Sequence, residues 1–241
     1  KEIIPKLREL ITDAVDNCIG NGDVGAWLSG GLDSSSTVAM IKEIEPGILN
    51  TFSIGFEDPD FDETAYQNEA VSYLNTRHRS ITCTSEEISN SFPRVVWHSE
   101  TPVTRTAPAP MYLLSGLVRK NNIKVVITGE GADEMLAGYD IFKEAKIRRF
   151  WAKQPDSTLR PTLLTKLYPY LPQMKQANPA ILKMFYGYKL EDIQNPFYSH
   201  LLRWNNSNHI KKHFSVATKS DLEGYSILED LENKLPGDFG N

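Results

Sequence analysis

Apolar positions at Ile3, Ile4, Leu7, Leu10, Ile11, Ala14, Val15, Cys18 and Ile19 repeat at helical spacing and stop at Gly20-Asn21-Gly22, which predicts an amphipathic first helix. Val24 to Leu28 is a short, nearly unbroken apolar run, the pattern of a strand buried on both faces of a parallel sheet. Ser34 to Ile44 has helical spacing again and is ended by Pro46-Gly47. Ile48 to Phe56 reads as a strand, Glu63 to Leu74 as a helix, and His78 to Cys83 as a weaker strand. Thr84 with Glu87 forms a capping-box pattern opening a helix that carries Ile88, Phe92, Val95 and Val96. Pro108 to Lys120 is the next predicted helix, and Ile123 to Thr128 the next strand.

Strands alternating with helices predict right-handed βαβ units, so the expected fold is α/β with a doubly wound parallel sheet of about five strands. Beyond Tyr139 the strand signals vanish, and Pro155, Pro161, Pro169, Pro172 and Pro179 divide the remainder into helical pieces. Residues 1–150 are therefore expected to form the α/β domain and residues 151–241 a helical extension of it. Aromatics stay frequent in the extension, at Phe150, Trp151, Tyr168, Tyr170, Phe185, Tyr186, Tyr188 and Trp204, and are expected to serve as core.

Composition narrows the setting. With 241 residues, 40% hydrophobic and 24% charged, the chain has ordinary globular proportions and length enough to bury a core. A net charge of −5 argues against nucleic acid as the main partner, although Lys143, Lys146, Arg148 and Arg149 make a local basic cluster that a solvated helix face would also explain. No apolar run approaches the roughly 18 residues that span a bilayer, and the start Lys1-Glu2-Ile3-Ile4-Pro5 is not a signal peptide. Cys18 and Cys83 lie far apart and neither belongs to a Cys-x-x-Cys pair, which fits a reducing cytoplasm rather than a zinc site or a disulfide scaffold. The chain starts without Met, as an excised fragment would. His209 and His213, four residues apart, could share a helix face, but no third ligand accompanies them.

The densest chemistry lies directly after the first strand, in Ser29-Gly30-Gly31-Leu32-Asp33-Ser34-Ser35. Two glycines permit a tight turn whose backbone N–H groups can approach an anion, and the following helix aims its positive end at the same place. The Gly-Lys-Ser/Thr ending of the common P-loop is absent. Asp33 stands instead, and beside polyphosphate a carboxylate makes sense chiefly as a Mg²⁺ ligand, with helix capping as the plainer alternative. A second glycine-rich turn, Thr128-Gly129-Glu130-Gly131-Ala132-Asp133-Glu134, follows another strand and turns Glu130 sharply between two glycines. Ligands of open α/β sheets bind beyond the carboxyl ends of strands where strand order reverses, so both motifs are expected at one shared site.

The first loop resembles the pyrophosphate-binding loop of N-type ATP pyrophosphatases. The second, with Gly138-Tyr139 beyond it, resembles the Ser/Thr-Gly-Glu-Gly-Ser/Ala-Asp-Glu signature of asparagine synthases. Thr51-Phe52-Ser53-Ile54-Gly55-Phe56 and Ala109-Pro110-Met111-Tyr112-Leu113-Leu114-Ser115 are similar to segments of that family in the same order, so the resemblance runs from about Lys1 to Tyr170. It implies an adenine nucleotide α-hydrolase-like fold that uses ATP and Mg²⁺ to turn aspartate and ammonia into asparagine through β-aspartyl-AMP, releasing AMP and pyrophosphate.

On that resemblance Ser29, Gly30, Gly31, Ser34 and Ser35 hold pyrophosphate, Asp33 and Asp133 bind Mg²⁺, and Glu130, beside Gly129, assists proton removal when ammonia attacks. Leu28, Ile54 and Gly55 would lie near adenine, with plain core packing as the alternative for the two apolar side chains, and Arg105, between Thr104 and Thr106, would face the substrate. The resemblance also implies a parent protein with a glutaminase domain and admits a homodimer. Further charged residues of the family's synthetase domain would follow Asn241, so the isolated piece is expected to bind ATP weakly and make little asparagine. A relative adenylating another carboxylate, by amidotransfer, β-lactam formation or peptide cyclisation, and a nucleotide-binding module without activity are the competing expectations.

Overall fold

The computed structural model describes residues 3–20, 22–171, 174 and 176–235. Asn21 and Pro172, named above as breakers, and both chain ends at residues 1–2 and 236–241 lie outside the described residues. Two compact units are present, Lys1–Ala132 and Asp133–Asn241. Their boundary falls within the 1–150 segment that the sequence assigns to one domain.

The first unit runs α1 (Ile3–Ile19), β1 (Val24–Trp27), α2 (Leu32–Ile44), β2 (Asn50–Phe56), α3 (Thr64–Leu74), β3 (Arg77–Cys83), α4 (Ser85–Ser99), α5 (Pro108–Lys120) and β4 (Val125–Ile127). The strands pair in parallel in the order β3-β2-β1-β4. That is four strands among the described residues where about five are expected. Three apolar runs and the weaker Arg77–Cys83 segment are all the strand signals that the alternating part of the sequence supplies, and after Ile127 the chain turns helical. Strand β3, weak by pattern, pairs with β2 along its whole length from Arg77 to Cys83.

Alternation along β1 divides the core, because successive side chains of a strand face opposite ways. Ala26 and Leu28 point with Val24 toward α1 and α2, joining Val15, Ile19, Val38 and Ile41. Trp27 points to the other face, where Phe52 and Val126 pack on Leu114, Leu117 and Val118 of α5. Phe52 is wholly buried, a burial that contributes about 1.5–3 kcal/mol. The sheet is thus covered on both faces, and the capping box at Thr84 holds the start of α4, with Glu87 N donating to Thr84 Oγ1 at 3.0 Å and Thr84 N to Glu87 Oε2 at 3.0 Å.

From β1 the chain winds outward through β2 to β3, then returns through α4 and α5 to lay β4 on the opposite side of β1. The strand order therefore reverses between β1 and β4, the switch point at which open sheets bind ligands.

The second unit is helical among its described residues. Helix α6 (Ala132–Leu136) lies where the chain passes into it, followed by α7 (Asp140–Ala152), a 3₁₀ segment (Arg160–Lys166), α8 (Pro179–Tyr186), α9 (Tyr198–Asn208), a second 3₁₀ segment (His209–His213), α10 (Val216–Asp221) and α11 (Ile227–Glu232). Its core gathers Trp151, Leu164, Leu167, Leu182, Tyr186, Leu190 and Leu202, with Tyr168, Phe185 and Tyr188 against it, so most of the aromatic series is packing. Tyr170 is exposed.

Arg148 is buried rather than part of a basic face. It donates to the carbonyl oxygens of Tyr186 (3.0 Å), Tyr198 (3.1 Å) and Tyr188 and lies 4.2 Å from the Tyr198 ring centroid. Glu144, also buried, accepts from Tyr168 and pairs with Arg203. Burial beside that carboxylate pushes the Tyr186 hydroxyl up to about 12. His209 and His213 fall in a 3₁₀ segment, whose three-residue turn keeps positions four apart off one face.

Candidate functional site

At the carboxyl end of β1 the backbone enters Gly30 with φ +83°, a conformation that side chains with a Cβ rarely adopt. The turn is also closely packed: a Cβ on Gly30 would lie 2.6 Å from the carbonyl carbon of Tyr66 and 2.7 Å from the nitrogen of Gln67, in the first turn of α3. Within the loop, Ser34 Oγ accepts from Ser29 N at 3.1 Å and lies 2.9 Å from Ser29 Oγ, while Gly31 N donates to Ser29 Oγ at 3.2 Å. These bonds close the loop on itself and leave the amides at the start of α2, which have no partner inside the helix, to face outward.

Helix α2 begins at Leu32, earlier than its apolar spacing suggests, and its N-cap is Gly31 with no side-chain cap. Asp33 is therefore not the capping residue. It sits in the first turn, where the helix dipole favours a negative charge, and its carboxylate makes no hydrogen bond among the described residues. Ser35 Oγ is buried with no protein partner. An oxygen donor free to bind and an unsatisfied hydroxyl beside a tight loop suit a Mg²⁺-bearing anion, since Mg²⁺ takes one or two carboxylates and fills its other positions with phosphate oxygens and water.

The second glycine-rich turn meets this loop. A Cβ on Gly129 would lie 2.9 Å from the carbonyl carbon of Asp33 and 3.0 Å from Ser34 N, so only glycine lets the end of β4 seat on the start of α2. Ala132 N donates to Gly129 O at 3.3 Å, closing the turn, and the exposed Glu130 side chain stands at its apex. Asp133 opens the second unit. There, Asp133 Oδ1 fills the place a Cβ on Gly138 would take, 1.9 Å away, and Asp133 O accepts from Gly138 N at 3.0 Å.

The remaining expected residues fall in different surroundings. Leu28, 0% exposed, points into the core between β1 and α2, and its N donates to Phe52 O at 2.9 Å, so its side chain does not face a ligand. Ile54 is half-buried, and its carbonyl accepts from Gln67 Nε2 at 2.8 Å. Gly55 is buried against Thr64 Oγ1 and Asp62 Oδ1, 2.9 and 3.0 Å from where its Cβ would be, so the space its missing side chain leaves is filled by protein. Asp62 accepts from Phe56 N and Thr64 Oγ1, and these hydrogen bonds, the Thr64 one foremost, hold its carboxyl below the usual range. Arg105 is exposed in the loop before α5.

The first turn of α3 is the part that the sequence patterns do not single out. Gln67 carries no motif, and its only signal is a polar residue on a helix whose neighbours pack on the sheet.

A doubly wound parallel sheet with two glycine-rich turns meeting at its switch point defines an α/β protein of the open-sheet class. More narrowly, the chain belongs to the asparagine synthase family, whose profile matches residues 6–232. It is 36% identical over 144 residues to asparagine synthetase [glutamine-hydrolyzing] 1 of Bacillus subtilis, covering 59% of this chain and 22% of that protein. To asparagine synthetase [glutamine-hydrolyzing] of Rattus norvegicus it is 40% identical over 149 residues, covering 58% of this chain and 26% of that protein. The chain thus matches about a quarter of the length of these relatives. A solved NH3-dependent NAD synthetase from Campylobacter jejuni overlays with a TM-score of 0.41 at 15% identity, covering 96% of this chain and 97% of that one. No helix among the described residues is long and apolar enough to cross a membrane.

Proposed function

We propose that this chain carries the ATP-dependent step of aspartate amidation, activating the side-chain carboxylate as β-aspartyl-AMP. The observation that supports it most is the seating of Gly129 on Asp33 and Ser34, in a chain of the asparagine synthase family. In this reading the loop from Ser29 to Ser35 and the first amides of α2 hold the β- and γ-phosphates. Asp33 is the carboxylate that would hold Mg²⁺. Mg²⁺ bound there would supply positive charge to the departing pyrophosphate.

A carboxylate repels nucleophiles, and adenylation removes that charge. An oxygen of the aspartate side chain bonds to the α-phosphorus as the bond from that phosphorus to the bridging oxygen breaks, and pyrophosphate leaves. Fixed N–H groups at the loop stabilise the charge it carries away. Ammonia then bonds to the acyl carbon, AMP leaves, and Glu130 takes the proton that nitrogen sheds. Arg105 is assigned to the substrate. A glutaminase domain of the parent protein is the proposed ammonia source, and a reducing cytoplasm the proposed setting.

The test is aspartate-dependent exchange of labelled pyrophosphate into ATP, run with aspartate and with other carboxylic acids. Aspartate should be preferred, and Asp33→Ala should abolish exchange while leaving the folded structure intact. Exchange retained by Asp33→Ala would remove the assigned role of Asp33. Exchange driven by a different acid would move the acceptor.

A further inference from the structure

Beneath the loop lies a polar chain in which Gln67, Ser53 and Thr51 are buried and His78 and Thr76 half-buried. Gln67, 2% exposed in the first turns of α3, donates through Nε2 to Ile54 O at 2.8 Å, which fixes its amide so that Oε1 accepts from Ser53 Oγ at 2.6 Å. Having given its proton away, Ser53 Oγ accepts from His78 Nε2 at 2.9 Å. Neutral imidazole carries one N–H, so His78 Nδ1 is the acceptor and takes the proton of Thr51 Oγ1 at 3.0 Å. Thr51 Oγ1 in turn accepts from Thr76 Oγ1 at 2.8 Å. One direction of donation runs from Thr76 to Ile54, and every member is satisfied.

Buried polar side chains cost desolvation that apolar ones of the same size avoid, and what a fully satisfied network returns is a unique geometry. Here that geometry has a recipient. The Gln67 side chain grips β2, while the Tyr66–Gln67 peptide is the surface against which Gly30 is moulded.

We propose that Gln67 is a positioning residue for the phosphate loop: by tying the first turns of α3 to Ser53 and Ile54, it holds the Tyr66–Gln67 peptide against Gly30 and so sets the shape in which the loop receives pyrophosphate. This rests on the nucleotide-binding reading above.

The test is Gln67→Met, which keeps length and volume and removes both hydrogen bonds. Two probes are titrated calorimetrically against the wild-type chain and the variant: magnesium pyrophosphate, which reads the loop, and AMP, which does not need it. The expected result is pyrophosphate binding at least tenfold weaker with AMP binding changed less than twofold. Ser53→Ala, which removes only one of the two bonds, should give a smaller loss with the same split and serves if Gln67→Met does not fold. Equal loss of both probes would mean a merely structural role and overturn the proposal, as would pyrophosphate binding within twofold of wild type. Failure of the wild-type chain to bind either probe would instead bring down the nucleotide reading, and this proposal with it.

Discussion

Gly129 sits so close to Asp33 that a Cβ on it would lie 2.9 Å from the Asp33 carbonyl carbon. Two glycine-rich motifs far apart in the chain thereby become one surface, with strand β4 ending on the helix that β1 leads into. Gly129→Ala should force one backbone away from the other. The expected cost is about 1–3 kcal/mol, the range for overpacking a close-fitted position, together with a large loss of pyrophosphate exchange. Urea unfolding and the exchange assay measure the two effects, and a variant unchanged in both would mean that the contact is slack.

Gly30 and Gly131 both have positive φ, at +83° and +92°, but only Gly30 is crowded. Among the described residues nothing approaches within 4 Å of a Cβ built on Gly131. Gly131→Ala should therefore cost only the backbone strain of about 1–2 kcal/mol, whereas Gly30→Ala should add the collision with Tyr66 and Gln67 and be clearly the more destabilising. Unfolding curves of the two variants, measured side by side, would contradict this if the order were reversed or the values equal.

His78 should make the first unit sensitive to mild acid. Burial lowers its pKa from 6.5, so as pH falls the unfolded chain takes up the proton before the folded one. The stabilisation is complete above about pH 6.5 and is lost as pH drops through the lower folded value. His78→Gln removes the titrating group. The stability difference between wild type and this variant should shrink from pH 7.5 to pH 5 in urea titrations, and a difference that stays constant would rule the linkage out.

Much of the fold was legible because its signals are local. Helical spacing placed α1 from Ile3 to Ile19, and the Thr84–Glu87 pair marked the start of α4 from adjacent residues alone. Asp33 was ambiguous between cap and ligand because the same residue type suits both. The backbone resolves that much, since Gly31 occupies the N-cap and Asp33 the first turn. Leu28 was ambiguous for another reason: an apolar side chain at a strand end looks the same whether the space beside it holds protein or ligand. Here the Leu28 side chain points inward, and Asp62 and Thr64 fill the space beside Gly55.

By itself the sequence determined the order of strands and helices, the two glycine-rich turns after strands, and the carboxylates they present. Periodicity, capping and turn chemistry act between neighbours, so they can be read along the chain. Only the tertiary structure decided that Gly129 seats on Asp33, that Gly30 is pressed on the first turn of α3, and that Gln67 reaches Ser53 and Ile54 beneath it. Those contacts depend on strand order and register, which bring residues together across the sheet and leave no trace in the spacing of either partner.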